Sequence, residues 1–504
     1  SSDVCSSDLI EKELFDAIAP GKNLEEFTNF LTRDSDDWKE LTDTWSEAPF
    51  KEDTLLIRAC RNNRLDIVNY LLAIETDTTK RQSLINQSKA TTGATPLFIA
   101  AQEFHLEIVQ TLLAAGVDYN FVSKDGYTPL FVAAERGHTE VVKTLLDAGI
   151  NFNQALPNGR SALYLAAFYN HIDVVKALLG KGANHNLVRD NDGYTPLLAA
   201  TEKGYTEIVK TLLDAGIDSN QALPDGASLL YVAAFYNHID VVKVLLGKGA
   251  NPNSVRDNGY TPLLVATEKE YTEIVQALLD HGANPNQKTL DEKTLLCAAI
   301  DKGQTEIVQA LLDHGANPNQ KTLDEKTLLC AAIDKGQTEI VQALLAHGAN
   351  PNQKTVDGVP LLYIAAHDGD TKIVKALLDK GADPSPISRS GMTPFWIAAE
   401  YDTIPVVQAF FEHIKTIQST NPEVFEAFHQ KLIDILDKSK RLPPEMKALC
   451  KAEVRKPWSP LRTAFMSSVA RAEPKPEPAH ALVMYKRRRE KDKDKDKDNN
   501  PNLH

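Results

Sequence analysis

Thr95-Pro96-Leu97-Phe98-Ile99-Ala100-Ala101 decides the fold, because the same phrase returns along the chain. It starts again at Thr128, Ser161, Thr195, Ser228, Thr261, Thr294, Thr327, Pro360 and Thr393. Every step is 33 residues except Ser161 to Thr195, which is 34. A weaker copy opens at Thr54, 41 residues before Thr95, so an insertion is expected to lengthen the first loop. Eleven copies at so regular a period predict a stacked array of one supersecondary unit.

The residues of one copy give the unit its shape. Thr128 suits a helix N-cap, and Pro129 suits the first helical position, where its missing N–H costs nothing. Small Ala133 and Ala134 let a neighbouring helix approach, and Gly137 suits the left-handed turn that stops the helix. Val141, Val142, Leu145 and Leu146 form the apolar stripe of a second helix, ended by Gly149. The Asn-rich stretch up to Gly159 then reads as an extended finger leading to the next copy.

This pattern resembles the ankyrin repeat in its period and its Thr-Pro-Leu opening, over residues 54 to about 412. The resemblance implies an all-α solenoid of 33-residue helix-turn-helix repeats joined by hairpin-like fingers. It also implies a non-enzymatic scaffold that binds another protein in a concave groove, acting as a monomer with no cofactor and no small-molecule substrate. Several copies depart from the pattern. Pro360 replaces the capping Thr, Leu295 and Leu328 replace the Pro, and Phe104, Glu270 and Asp402 replace the helix-ending Gly. Residues 285–317 and 318–350 differ only at Asp313 versus Ala346, and the unit around Phe168 recurs around Phe235, 67 residues later. Arrays with such recent duplications look like those that intracellular bacteria secrete into host cells. The resemblance therefore implies an effector in a host cytosol or nucleus, while the five cysteines, none in a close pair, make a reducing cytoplasm the simplest setting.

The ends divide the chain further. Residues 1–9 look like a translated sequencing adapter and are set aside. Residues 10–50 carry helical apolar spacing, Leu14-Phe15-Ala17-Ile18 and Leu24-Phe27-Phe30-Leu31, and are expected to cap the array that fills 51–412. Residues 413–471 continue in helical patterns and predict a helical extension, the one place where an enzyme activity could sit, although it holds no acid/base cluster. Residues 472–504 lack the composition for a core and are expected to be disordered. From 438 onward the chain carries a charge of +9, against −23 for the rest. Lys486, Arg487, Arg488 and Arg489 in this tail could touch an anionic membrane or nucleic acid.

Thirteen histidines invite a metal or catalytic reading. His138, His171 and His238 follow the helix-ending position, however, and matching positions in adjacent repeats should lie roughly 8–10 Å apart, too far for shared coordination. Capping and loop hydrogen bonds are the expectation for them. Cys297 and Cys330 sit at matching places and read as packed thiols, and no phosphate loop, nucleophile elbow or metalloprotease motif is present.

The positions that vary within the constant framework are the candidates for binding. The two residues after each Ala pair read Glu135-Arg136, Phe168-Tyr169, Glu202-Lys203, Phe235-Tyr236 and Glu268-Lys269, and finger positions add Tyr127, Tyr194 and Tyr260. These residues are expected to line the groove as alternating aromatic and charged steps, with the aromatics as anchors. The competing expectation packs Phe168 and Phe235 into the core.

Overall fold

The computed structural model describes residues 16–33, 54–89, 91–189, 193–288, 294–322, 324–384, 393–401 and 403–420. Eleven helical pairs follow one another in it, from Leu55–Arg61 with Leu65–Ile74 to Pro394–Glu400 with Ile404–Thr420. The chain divides into two compact units, Ser1–Asp257 and Asn258–His504.

In each unit the repeat builds itself as its residues dictate. Thr128 accepts a hydrogen bond from the Phe131 N–H through its side chain, Pro129 opens the helix Pro129–Arg136, and Gly137 closes it at φ 77°. Ten first helices are capped in this way by a Thr or Ser hydroxyl, among them Thr95, Ser161, Thr195, Ser228, Thr261, Thr294 and Thr327. Pro360 has no side chain to offer and leaves the helix Leu361–Asp368 without a side-chain cap. The second helices bury one stripe, such as Val141, Val142, Leu145 and Leu146 in Thr139–Asp147. The Ala pairs are fully buried at Ala133-Ala134 and Ala166-Ala167, where any larger side chain would push the stack apart. Antiparallel bridges such as Ala155 to Ser161 and Lys321 to Thr327 form the fingers.

Two side-chain ladders join repeats within each unit to the ones before them. In the first, His138 Nε2 bonds the Gln102 carbonyl (3.0 Å), His171 the Glu135 carbonyl (2.8 Å) and His238 the Glu202 carbonyl (2.8 Å). Gln337 makes the same kind of clip to Ile300 at 2.8 Å. In the second, a finger Asn carboxamide oxygen accepts the N–H at the start of the next finger. Asn153 accepts from Asn184 (2.7 Å), Asn220 from Asn251 (2.8 Å), Asn286 from Asn317 (2.9 Å) and Asn319 from Asn350 (3.0 Å).

Three details differ from or extend the sequence reading. The lengthened first loop contains a helix, Thr78–Asn86, because the Asp77 carboxylate caps the N–H groups of Thr79 and Lys80 and Ile85 finds a buried place. Phe104 and Glu270 adopt the left-handed conformation of the missing Gly, and so do Asn63, Asn170 and Asn237, whose short amides tolerate it. The last helix, Ile404–Thr420, runs through residue 412 without a break, so the array's final second helix extends into the segment read as an extension. At the other end, Ile18 and Phe27 are fully buried, Phe27 meets Tyr70 edge-on at 6.0 Å, and Arg64 donates to the carbonyls of Ala17 (3.1 Å) and Ala19 (3.0 Å). The remaining parts of 1–53 and all of 421–504 lie outside the described residues.

Glu270 holds a strained φ of 64°, and its ion pair with Lys302 (3.7 Å) is solvent-exposed and so worth little. Glu270→Gly should stabilise its repeat by about 1 kcal/mol, read as slower amide hydrogen exchange over residues 262–280. Gly137→Ala should do the reverse to its own repeat, since its Cβ would collide with the His171 imidazole. Unchanged exchange in both variants would contradict this reading of the turn.

Candidate functional site

The first helices end in a row of steps where the candidate residues gather. In the first unit Tyr127 comes from a finger and lies half-buried, edge-on to Phe131 at 6.1 Å. Glu135 closes the helix that Thr128 opens, eight residues after Tyr127, and Tyr169 arrives from the next repeat to hydrogen-bond the Glu135 carboxylate. Burial and this neighbouring carboxylate hold both tyrosine hydroxyls above the usual range.

The arrangement repeats two units on. Tyr194 donates to the Glu202 carboxylate, and Tyr236 from the following repeat lies close enough for Glu202 to raise its hydroxyl too. Tyr260 donates to Glu268 at 3.3 Å in the second unit.

Phe168 and Phe235 are neither core nor free anchors. Phe168 stacks on Tyr164 (6.0 Å, 13° between planes) and meets Tyr169 edge-on at 5.1 Å; Phe235 does the same with Tyr231 (6.2 Å) and Tyr236 (5.1 Å). Phe168 is half-buried, while Phe235, Tyr169 and Tyr236 are exposed at 38%, 43% and 47%. Each is an aromatic ledge resting on a buried tyrosine.

Tyr164 and Tyr231 support this surface and were not among the candidates, since at sequence level they read as ordinary stripe residues. Arg189 Nη1 donates to the Tyr164 hydroxyl (3.1 Å), and its guanidinium covers the Tyr194 ring at 4.5 Å. Arg256 donates to the Tyr231 hydroxyl (3.3 Å) and pairs with Asp225 (2.5 Å). The only sequence signal for these roles is the Arg at matching finger places of the duplicated block.

The charged candidates divide. Arg136 is exposed, and Lys203 lies over the Phe168 ring at 5.1 Å, within 4.0 Å of Glu202. In the second unit Lys269 is exposed, whereas the neighbouring charges clip repeats together. Lys302 donates to the Glu268 carbonyl and Lys335 to the Asp301 carbonyl (3.0 Å), while Lys326 pairs with Asp334 inside its own repeat (3.4 Å). The tail candidates Lys486, Arg487, Arg488 and Arg489 lie outside the described residues.

The model of the family described as ankyrin repeats matches eight overlapping stretches that together run from residue 14 to 421. The chain belongs to the ankyrin-repeat family. A crystal structure of the human ASB11 ankyrin repeat domain is similar at 30% identity, covering 44% of this chain and 99% of that one, with a TM-score of 0.40. No curated protein matches the chain. As an ankyrin-repeat protein it is built as a protein–protein interaction module. Among the described residues no group of His, Cys, Asp and Glu could hold a metal ion, and no helix is long and apolar enough to cross a membrane. Cys60, Cys297 and Cys330 are buried in the repeats and form no disulfide, and desolvation pushes the Cys60 thiol far up.

The His138 clip carries a pH dependence. Burial holds the His138 imidazole below the ordinary histidine range, so the folded chain resists the proton that the unfolded chain accepts. Stability from this group is complete above about pH 6.5 and declines as the pH falls below it. His138→Gln should keep the clip to the Gln102 carbonyl, as Gln337 does at 2.8 Å, and flatten the decline. Urea titrations at pH 7.5 and 5.5 measure the difference; equal losses in both proteins would contradict the assignment.

Proposed function

We propose that the array holds a segment of a partner protein against the aromatic steps of repeats 3 to 6, and that it does so without catalysis. The observation that carries this reading is the exposure of Tyr169, Phe235 and Tyr236. Three large aromatics stand exposed at 43%, 38% and 47%, Phe235 stacked on the buried Tyr231, and Tyr169 and Tyr236 edge-on to Phe168 and Phe235. Rigid aromatics bury large area at little entropic cost, which is why they dominate binding hot spots. Tyr127, Tyr194, Glu135 and Glu202 supply the polar frame around them. The near-identical repeats 285–317 and 318–350 support the further reading that the protein works as an effector delivered to a host cytosol or nucleus.

Tyr169→Ala with Tyr236→Ala should weaken partner capture by about thirtyfold or more, since an aromatic hot spot is worth about 2 kcal/mol or more on truncation. The melting temperature should fall by only a few degrees, because both rings are exposed over much of their surface. Pull-down from the cells that make the protein, beside a thermal melt, checks this. A large fall in melting temperature with capture intact would make the two tyrosines structural.

A further inference from the structure

In the first unit Asp147 and Asp214 close the second helices Thr139–Asp147 and Thr206–Asp214. A lysine capping the next second helix reaches back to each, Lys181 to Asp147 at 2.9 Å and Lys248 to Asp214 at 2.6 Å. In the second unit histidines hold that place. His314 meets Asp280 at 3.2 Å and His347 meets Asp313 at 2.9 Å, each from the C-cap of one second helix to the last residue of the one before. Gln276 and Gln309 brace the same carboxylate oxygens at 2.8 and 2.9 Å. The single difference between the twin repeats 285–317 and 318–350 falls here. Ala346 stands where Asp313 does and brings no carboxylate, so the ladder stops before Lys380, which caps the next second helix.

The ring geometry selects the charge that suits these rungs. His314 Nδ1 lies 2.9 Å from the Ala310 carbonyl while its Nε2 faces Asp280, and His347 Nδ1 lies 2.9 Å from the Ala343 carbonyl while its Nε2 faces Asp313. A carbonyl and an ionised carboxylate only accept, so both ring nitrogens have to donate, and only the imidazolium carries two N–H groups. A neutral ring keeps one of the two bonds and turns a lone pair toward an oxygen in the other. The C-terminal end of a helix favours the same cation. The other charged and titratable groups leave this pairing in place. His281 precedes the His314 rung, and Lys380 follows the His347 rung. The first helices carry Asp301, Lys302 and Asp334 to the opposite end, beside the starts of the second helices, and the finger cation Lys321 is paired with Glu325 at 2.7 Å.

We infer that the second unit carries a proton-operated ladder, in which charging His314 and His347 fastens the second helices Thr272–Asp280, Thr305–Asp313 and Thr338–Ala346 to one another. Below about pH 6.5, where an imidazole ordinarily holds its proton, both rungs are ion pairs, and their contribution is lost as the pH rises. The lysine rungs of the first unit stay charged across the same range. The His138 clip in that unit responds in the opposite sense, weakening on acidification. Acid therefore loosens the first unit at His138 and tightens the second along its outer helices, a regulation separate from the proposed binding surface.

Amide hydrogen exchange on the full chain at pH 7.5 and 5.5, with each rate divided by that of the unfolded chain at the same pH, tests the ladder. Peptides from residues 285–350 are pooled, because the twin repeats share their sequence. Two partly exposed ion pairs together are worth about threefold in an opening equilibrium, so protection there should rise about threefold from pH 7.5 to 5.5. Asp280→Asn with Asp313→Asn keeps an oxygen for Gln276 and Gln309 but removes the charge, and should abolish most of that rise. His314→Lys with His347→Lys should give the same protection at both pH values, as the lysine rungs of the first unit do. A fall or no change in the parent on acidification, or a rise that persists undiminished in the asparagine pair or the lysine pair, would overturn the inference.

Discussion

Within each unit, repeats complete their polar and apolar surfaces against their neighbours. The clip from one repeat's His or Gln side chain to the carbonyl at the end of the preceding first helix shows the constraint most plainly. A helix leaves its last carbonyls without intrahelical partners, and the array answers that need from the next repeat. The Asn ladder does the same for finger N–H groups. Stability therefore comes as repeat and interface contributions, and each departure from the pattern, such as uncapped Pro360 or left-handed Glu270, weakens one place.

That dependence frees the surface that remains. Since the buried stripes, Ala pairs and clips fix the repeats, the two residues after each Ala pair can vary without unmaking the fold. In the first unit they became aromatic ledges and tyrosine-flanked carboxylates. In the second, Lys302 and Lys335 turned the same positions to holding repeats together. One framework thus supports contact with a partner in one stretch and internal ties in another.

The sequence made the fold legible because the period, the Thr-Pro caps and the Gly stops each have a local physical cause that repeats. The candidate site was less legible. Phe168 and Phe235 could be placed on the right step, but a helix-end aromatic looks the same in sequence whether it faces core or solvent. The supporting Tyr164 and Tyr231 decide the matter, and their contacts reach across repeats. The ladder asparagines were read as finger residues, because a bond from Asn153 to the Asn184 N–H depends on stacking that no local window contains. The helix Thr78–Asn86 was hidden in an apparent loop by its weak apolar pattern, with Ile85 its one buried residue.

The central claim is that the partner lies on the aromatic steps of the first unit and not on the outer helices. Photo-crosslinking tests it most directly, with a benzophenone side chain placed in turn at Tyr169, Tyr236, Lys176 and Lys243, the last two on exposed faces of the second helices Ile172–Gly180 and Ile239–Gly247. Adducts from positions 169 and 236 to one contiguous segment of one partner, with none from 176 and 243, is the predicted result. Adducts from the second-helix positions alone would contradict it.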